Sequence, residues 1–209
     1  MTIDKTKLAL ILLVAMVTVI TCVNPIYPHE QLLQHIGTAL LFIPLITDVF
    51  KKAMPMSAFI GLACFTLLHV IGARYIYSYV PYKELAVSLG LVDAGFFHGP
   101  RNHYDRLVHL SFGVLLFPYL VYICKKRFKQ QHLAAMLMAW LMVQTGSMIY
   151  ELFEWLLTIV MTAEAADCYN GQQGDMWDAQ KDMALALLGS TAMLFYYMLR
   201  YANKERRRH

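Results

Sequence analysis

Apolar residues fall into six long stretches, at about 8–23, 32–50, 54–71, 107–123, 133–161 and 183–201, separated by polar segments. Inside each stretch the apolar positions run on rather than marking out one face. That is the pattern of helices surrounded by hydrocarbon, not of amphipathic helices on a soluble core. Most stretches are near the ~20 residues an α-helix needs to cross a ~30 Å hydrocarbon layer. The shorter ones can draw on flanking residues or thin the bilayer locally. The pattern predicts an all-α fold, a polytopic membrane helix bundle of about six transmembrane helices, with 1–209 forming a single integral membrane domain.

Two details qualify the spans. Pro44 and Pro118 interrupt the second and fourth, which neighbouring helices accommodate in lipid. The fifth is the longest and is expected either to project beyond the membrane or to break near Gly146. The first follows Lys5 and Lys7, and Val23-Asn24-Pro25-Ile26 lacks a small-x-small cleavage pattern, so an uncleaved transmembrane helix is expected.

Composition agrees. The 209 residues are 58% hydrophobic and 15% charged, against about 25% charged in an ordinary soluble domain. These proportions, with a mean hydropathy of +0.47, exclude a soluble globular enzyme, a disordered tail and a fibrous repeat. A net charge of +4 would suit nucleic acid if read alone, but the basic residues sit at the ends of apolar runs, so no nucleic-acid partner is expected. With the amino terminus inside, 13 Lys and Arg lie on inner segments and 5 on outer ones: Arg74, Lys83, Arg101, Arg106 and Lys181. The positive-inside rule then predicts that both termini are cytoplasmic.

Cysteine chemistry is not indicated. Cys22, Cys64 and Cys124 lie in apolar runs and Cys168 in a polar loop, with no CxxC pair and no zinc-finger spacing. The outer side has two long connections. The one over 72–104 carries Tyr75, Tyr77, Tyr79 and Tyr82, suited to an interfacial aromatic belt, and a short surface helix is expected over 83–92. The other covers 162–182.

Ionisable residues inside spans are costly and each needs a reason. At ~1.5 Å of rise per residue, His35, His69, His109, Glu151 and Asp182 all come about 24–27 Å from the inner ends of their helices. Five helices thus place a polar residue near the outer membrane face. Asp105 and His109 are i,i+4 and share a helix face; Glu151 and Glu154 are i,i+3 and can face one way. Two carboxylates on one face repel unless a cation, a proton or an arginine sits between them, and Arg106 is the nearest counter-charge by depth. Asp175, Asp178 and Asp182 form a second acidic stripe if the last helix starts early.

The sequence contains no GxSxG, Walker-type loop, GxGxxG or HExxH. Ser111 points away from His109, and Ser147, four residues before Glu151, is not an activated nucleophile. The most economical chemistry is carboxylate–histidine binding of a divalent metal, with zinc, manganese and iron all suited to such ligands. The metal-ligand candidates are Asp105, His109, Glu151, Asp175, Asp178 and Asp182; the catalytic candidates are Asp105, His109, Glu151, Glu154 and Asp178. The plainer reading stands beside this: Glu151, Glu154, Arg106 and His109 as a buried network that pins helices, with His69 also in a structural or charge-pairing role. The Asp175–Asp182 stripe can equally be a solvated helix start, since acids favour helix N-termini. Trp155 and Trp177 suit interface anchors, His29, His98 and His103 loop positions, and Met136, Met138 and Met142 packing or lipid contact.

Three motifs occur together: Tyr104-Asp105-Arg106-x-x-His109; Tyr150-Glu151-x-x-Glu154-Trp155; and Gly171-x-x-Gly174-Asp175-x-Trp177-Asp178-x-Gln180-x-Asp182-Met183. In this combination, and over essentially the whole chain, the sequence resembles the YjdF family of bacterial inner membrane proteins. The resemblance implies a multi-pass protein of the bacterial inner membrane whose three motifs act as one site, and it brings no reaction with it. A remoter similarity of layout is to the VanZ-like membrane proteins, with Asp105, Arg106, His109, Glu151 and Asp182 in corresponding places. The longer outer loop and the Trp-Asp-x-Gln segment depart from that pattern.

Three functions fit these residues. The first is a site facing the periplasm that binds or processes a membrane lipid, a lipid-linked or small-molecule ligand, or an envelope precursor. The second is a transporter, although the midplane offers only Gln144, Thr145 and Ser147 where such sites usually lie. The third is a structural or partner-binding subunit whose polar cluster only pins the helices.

Overall fold

A computed structural model describes residues 3–92 and 99–207, without the side chains of Glu164 and Cys168. His98 lies outside the described residues. The elements are all helical: α1 (Lys5–Thr21), α2 (Pro28–Lys51), α3 (Met56–Arg74), α4 (Tyr82–Ser88), α5 (Tyr104–Leu115), α6 (Phe117–Lys126), α7 (His132–Val160), α8 (Ala163–Asn170) and α9 (Asp178–Arg206). Among the described residues, five segments are long and apolar enough to cross a membrane: α2, α3, the run Tyr104–Lys126, α7 and α9. The first expected span is α1, whose 17 residues sit at the short end of the roughly 17–25 that cross a bilayer.

The fourth span is not one helix. Pro118 lacks an N–H and its ring crowds the carbonyl one turn back, so the run divides at Leu116 into α5 and α6. The fifth is the reverse case. α7 continues unbroken for 29 residues through Gly146. Pro44 is carried inside α2 without ending it.

Packing is built around α3 and α5. α3 is the most enclosed span, packed on α1, α2, α5 and α6, while α5 lies between α3 and α9, and α7 packs on α6, α8 and α9. In lipid, helices gain little hydrophobic drive from one another, and close approach at small residues takes its place. The tightest seam is α5 on α9. A Cβ on Gly113 would lie 2.6 Å from the Ser190 amide nitrogen and closer still to the Ala186 carbonyl; one on Gly189 would lie 2.5 Å from the Leu110 carbonyl. Only glycine lets these backbones touch, and that contact carries the first residues of α5 to the first residues of α9.

The two ends of the bundle differ in chemistry. One gathers Lys125, His132, Arg200, Lys204 and Arg207 around a cavity between α6, α7 and α9. At the same end Lys7 is buried and its Nζ donates to Asp48 at 2.6 Å and to the Met54 carbonyl at 2.8 Å. Asp48 also accepts from the Ala53 and Met54 amides, so a single carboxylate ties α1 to the α2–α3 turn. The opposite end holds the acidic and histidine side chains.

Candidate functional site

α5 begins at Tyr104 rather than 107, and α9 at Asp178 rather than 183, because acidic first turns extend helices past the edge of their apolar runs. These extra turns bring the site residues into register. Asp105 Oδ1 lies 3.6 Å from His109 Nε2 along α5, and Glu151 Oε1 reaches to 3.5 Å of the same nitrogen from α7. Across the glycine seam comes Asp182, and one donor atom each from Asp105, His109 and Asp182 lies within 4.8 Å of the others. All four residues are buried.

Charge in this cluster is unbalanced. Among the described residues, neither Lys nor Arg comes within ion-pair distance of Asp105, Glu151 or Asp182. Glu151 Oε1 and Asp182 Oδ1 are buried without a hydrogen-bond partner. A buried, unsatisfied acceptor costs about 1–3 kcal/mol, and more when charged. Separations of 3.5–3.6 Å also match the roughly 3.3–3.6 Å between donors on a tetrahedral metal at ~2.0–2.2 Å bond length. Glu154 is half-buried on the next turn of α7.

Arg106 does not stand between Glu151 and Glu154. Its guanidinium turns to Asp175 at 2.5 Å and lies 3.5 Å from Asp178. Asp178 is also held by Arg101, which bonds the Gln172 carbonyl as well. Of the Asp175–Asp182 stripe, Asp175 precedes the helix, Asp178 opens it, and only Asp182 faces His109. The Asp175 carboxyl is drawn down to about 2 by its hydrogen bond from Lys181, by the Trp177 amide and by Arg106. Asn102 and Gln173 bond reciprocally, amide to carbonyl at 2.8 and 3.1 Å. Together these contacts clasp the segment around 101–106 to the segment 172–178 beside the cluster. Arg101, Asn102 and Gln173 escaped the sequence reading because they sit in loops, where periodicity carries no signal; the one available hint was an arginine beside a span end needing a partner.

His69 holds a structural position. Burial and the Asp105 charge push the Tyr77 hydroxyl well above its usual range, so it stays protonated and donates to His69 Nδ1 at 2.6 Å. His69 Nε2 then donates to the Gln34 carbonyl at 3.1 Å, which uses both ring nitrogens. Left-handed backbone at Ile76 and Tyr77 turns this tyrosine back over the end of α3, a conformation costing about 1–3 kcal/mol per residue. His35 bonds Cys22, Gln31 and Thr38 along α1 and α2 and does not join the groups around His109. The expected surface helix is α4, over Tyr82–Ser88. Trp155 and Trp177 are exposed. Gln144 donates to Ser190 Oγ at 2.8 Å, and Ser147 makes no bond to Glu151.

Beneath the cluster lies a cavity of about 340 Å³. Its walls are mostly apolar, with Gly37 and Leu40 from α2, Phe65 from α3, Phe112 from α5 and Gly146 from α7. His69, Asp105, His109 and Tyr150 form its polar end.

Comparison with known proteins agrees with this architecture. The inner membrane protein YjdF of Escherichia coli strain K12 is 27% identical over 198 residues, covering 91% of this chain and 89% of the relative. No solved structure matches. A family model described as a predicted membrane protein, DUF2238, matches residues 6–203. The chain therefore belongs to the DUF2238 family of multi-pass membrane proteins.

Proposed function

We propose that the protein carries a divalent-cation centre at the end of the bundle facing the periplasm, formed by Asp105, His109, Glu151 and Asp182, which binds and processes the polar head of a lipid or envelope precursor. The observation that supports this most is the pair of buried, unpartnered carboxylate oxygens, on Glu151 and Asp182, converging on one histidine. A divalent ion would neutralise the excess negative charge and satisfy both. It would also act as a Lewis acid on a phosphoryl or carbonyl oxygen and activate a bound water near neutral pH. The 13-to-5 distribution of Lys and Arg supports cytoplasmic termini, which turns this end outward. Asp175 and Asp178 have arginine partners and serve as the clasp beside the centre.

The test is the metal content of the detergent-purified protein beside that of an Asp105→Ala/Glu151→Ala variant. A near-stoichiometric transition metal in the parent, lost from a folded variant, is the expected result. A parent free of metal after expression in metal-supplemented medium, with the variant melting normally, would refute it. A variant that also loses its fold, with no metal in the parent, would assign the cluster to helix pinning.

A further inference from the structure

The cavity below the polar cluster has a shape that the cation centre alone does not need. α2 packs on α1 and α3 but makes no extensive contact with α7, and the gap between α2 and α7 is where the cavity lies. α8 bridges α7 and α2, with its own Tyr169 and Asn170 buried. Of the residues lining the cavity only Leu40 is exposed, at 63%, and it lies inside a membrane span, so the cavity opens sideways. At that depth the surrounding medium is hydrocarbon.

The lining follows an amphiphile from one end to the other. Phe65 and Phe112, with ring centroids 5.6 Å apart, make the apolar floor. Gly37 and Gly146 keep the walls apart: a Cβ on the first would meet the His69 ring at 3.4 Å, and one on the second the Phe112 ring at 3.1 Å. Where apolar wall gives way to polar, one turn below Glu151, Ser147 presents a buried hydroxyl with no hydrogen-bond partner. Beyond it stand His109 and Asp105. A volume of 340 Å³ has room for about eleven water-sized groups of ~30 Å³ each, enough for part of an acyl chain.

We infer that this cavity is a lateral acyl-chain site, in which one chain of an ester-linked membrane lipid enters between α2 and α7, its ester end meeting Ser147 and its head reaching the centre at Asp105 and His109. The inference rests on the proposed function for what the head meets, and independently on the cavity for where the chain lies. It makes the ligand an acylated lipid drawn from the bilayer, rather than a soluble solute arriving from water.

The experiment uses the full chain in nanodiscs of phosphatidylethanolamine and phosphatidylglycerol, doped with phosphatidylethanolamine bearing a mid-chain diazirine. After irradiation, cross-linked peptides are mapped by mass spectrometry and metal content is measured on the same samples. The expected result is cross-linking concentrated on the peptides holding Phe65 and Phe112, and its loss in Gly146→Leu, which fills the cavity. Leu40→Trp, a change at a lipid-facing position that leaves the interior intact, is expected to give the same loss should Gly146→Leu fail to fold. Cross-links spread evenly over the lipid-facing surface, or unchanged in the folded plug variant, would overturn the site. The two readings separate cleanly: failure of the cation centre shows as absent metal with Phe112 cross-linking intact, and failure of the acyl site as metal retained without it.

Discussion

Replacing Gly113 with alanine tests the α5–α9 seam. The added Cβ would stand 2.6 Å from the Ser190 nitrogen and closer to the Ala186 carbonyl. Both are backbone atoms, so no side-chain rotation relieves the overlap. The helices must part by about 1 Å to restore ordinary contact. Overpacking against backbone that cannot rotate away falls in the upper part of the usual range, about 2–3 kcal/mol. Alanine's better helix propensity offsets up to about 1 kcal/mol. The net loss is about 1–2 kcal/mol, or a fall in melting temperature of roughly 2–8 °C for a chain of this size. His109 and Asp182 lie on opposite sides of the seam, so on the proposed cation centre the same movement should weaken metal retention. Thermal melting in detergent followed by metal analysis reads both effects. Gly146→Ala is the control, since its Cβ meets only the edge of the Phe112 ring at 3.1 Å, and the ring can swing away. If Gly113→Ala melts at or above the parent and keeps its metal, the close approach of α5 and α9 is wrong.

Other outcomes follow from the two ends of the bundle. Lys7→Met leaves Asp48 buried without its cation and is expected to cost about 3–5 kcal/mol in melting experiments, whereas Lys7→Met/Asp48→Asn, which keeps an acceptor for the Ala53 and Met54 amides, should recover most of the loss. Asp178→Asn and Asp182→Asn should separate clasp from centre: the first raises proteolytic cleavage in 162–177 with metal retained, and the second loses metal with cleavage unchanged. The Asp175 carboxyl, held at about 2 against about 3.9 when unfolded, stabilises the clasp above about pH 4, and this contribution fades as pH falls toward 2. Hydrogen exchange of 162–177 across that range measures it; loss of protection from this group between pH 6 and 5 would contradict the assignment.

Much of this architecture can be read from the chain, and the reason is physical. Lipid forces spanning helices to be apolar along nearly their whole length, so the ends of 32–50, 54–71 and 133–161 lie within one to four residues of those of α2, α3 and α7. Helix rise then puts His109, Glu151 and Asp182 at one depth, and they do meet. The same ruler includes His35, which turns toward Cys22, because depth fixes height in the membrane but not the direction around a helix. Pairing was harder still. Arg106 stood nearest the glutamates by depth, yet Asp175 and Asp178 reach it from a loop whose path no periodicity describes. The cavity had no sequence signature beyond Gly37 and Gly146, two residues that mean little until their helices are seen facing each other.

The seam between α5 and α9 also sets an order of assembly. α9 leaves the ribosome after the other described spans, and until it arrives the Gly113 face of α5 lacks the backbone it packs against. During that interval Asp105 and Glu151 are already committed to spans with their carboxyl groups uncovered, and Arg101 and Arg106 still await Asp178 and Asp175. A truncated or stalled chain therefore exposes acidic side chains within the bilayer. That is a mark by which membrane quality control can tell an unfinished molecule from a finished one. Insertion of α9 hides the mark and, in the same step, brings Asp182 to His109, so assembly and concealment arrive together.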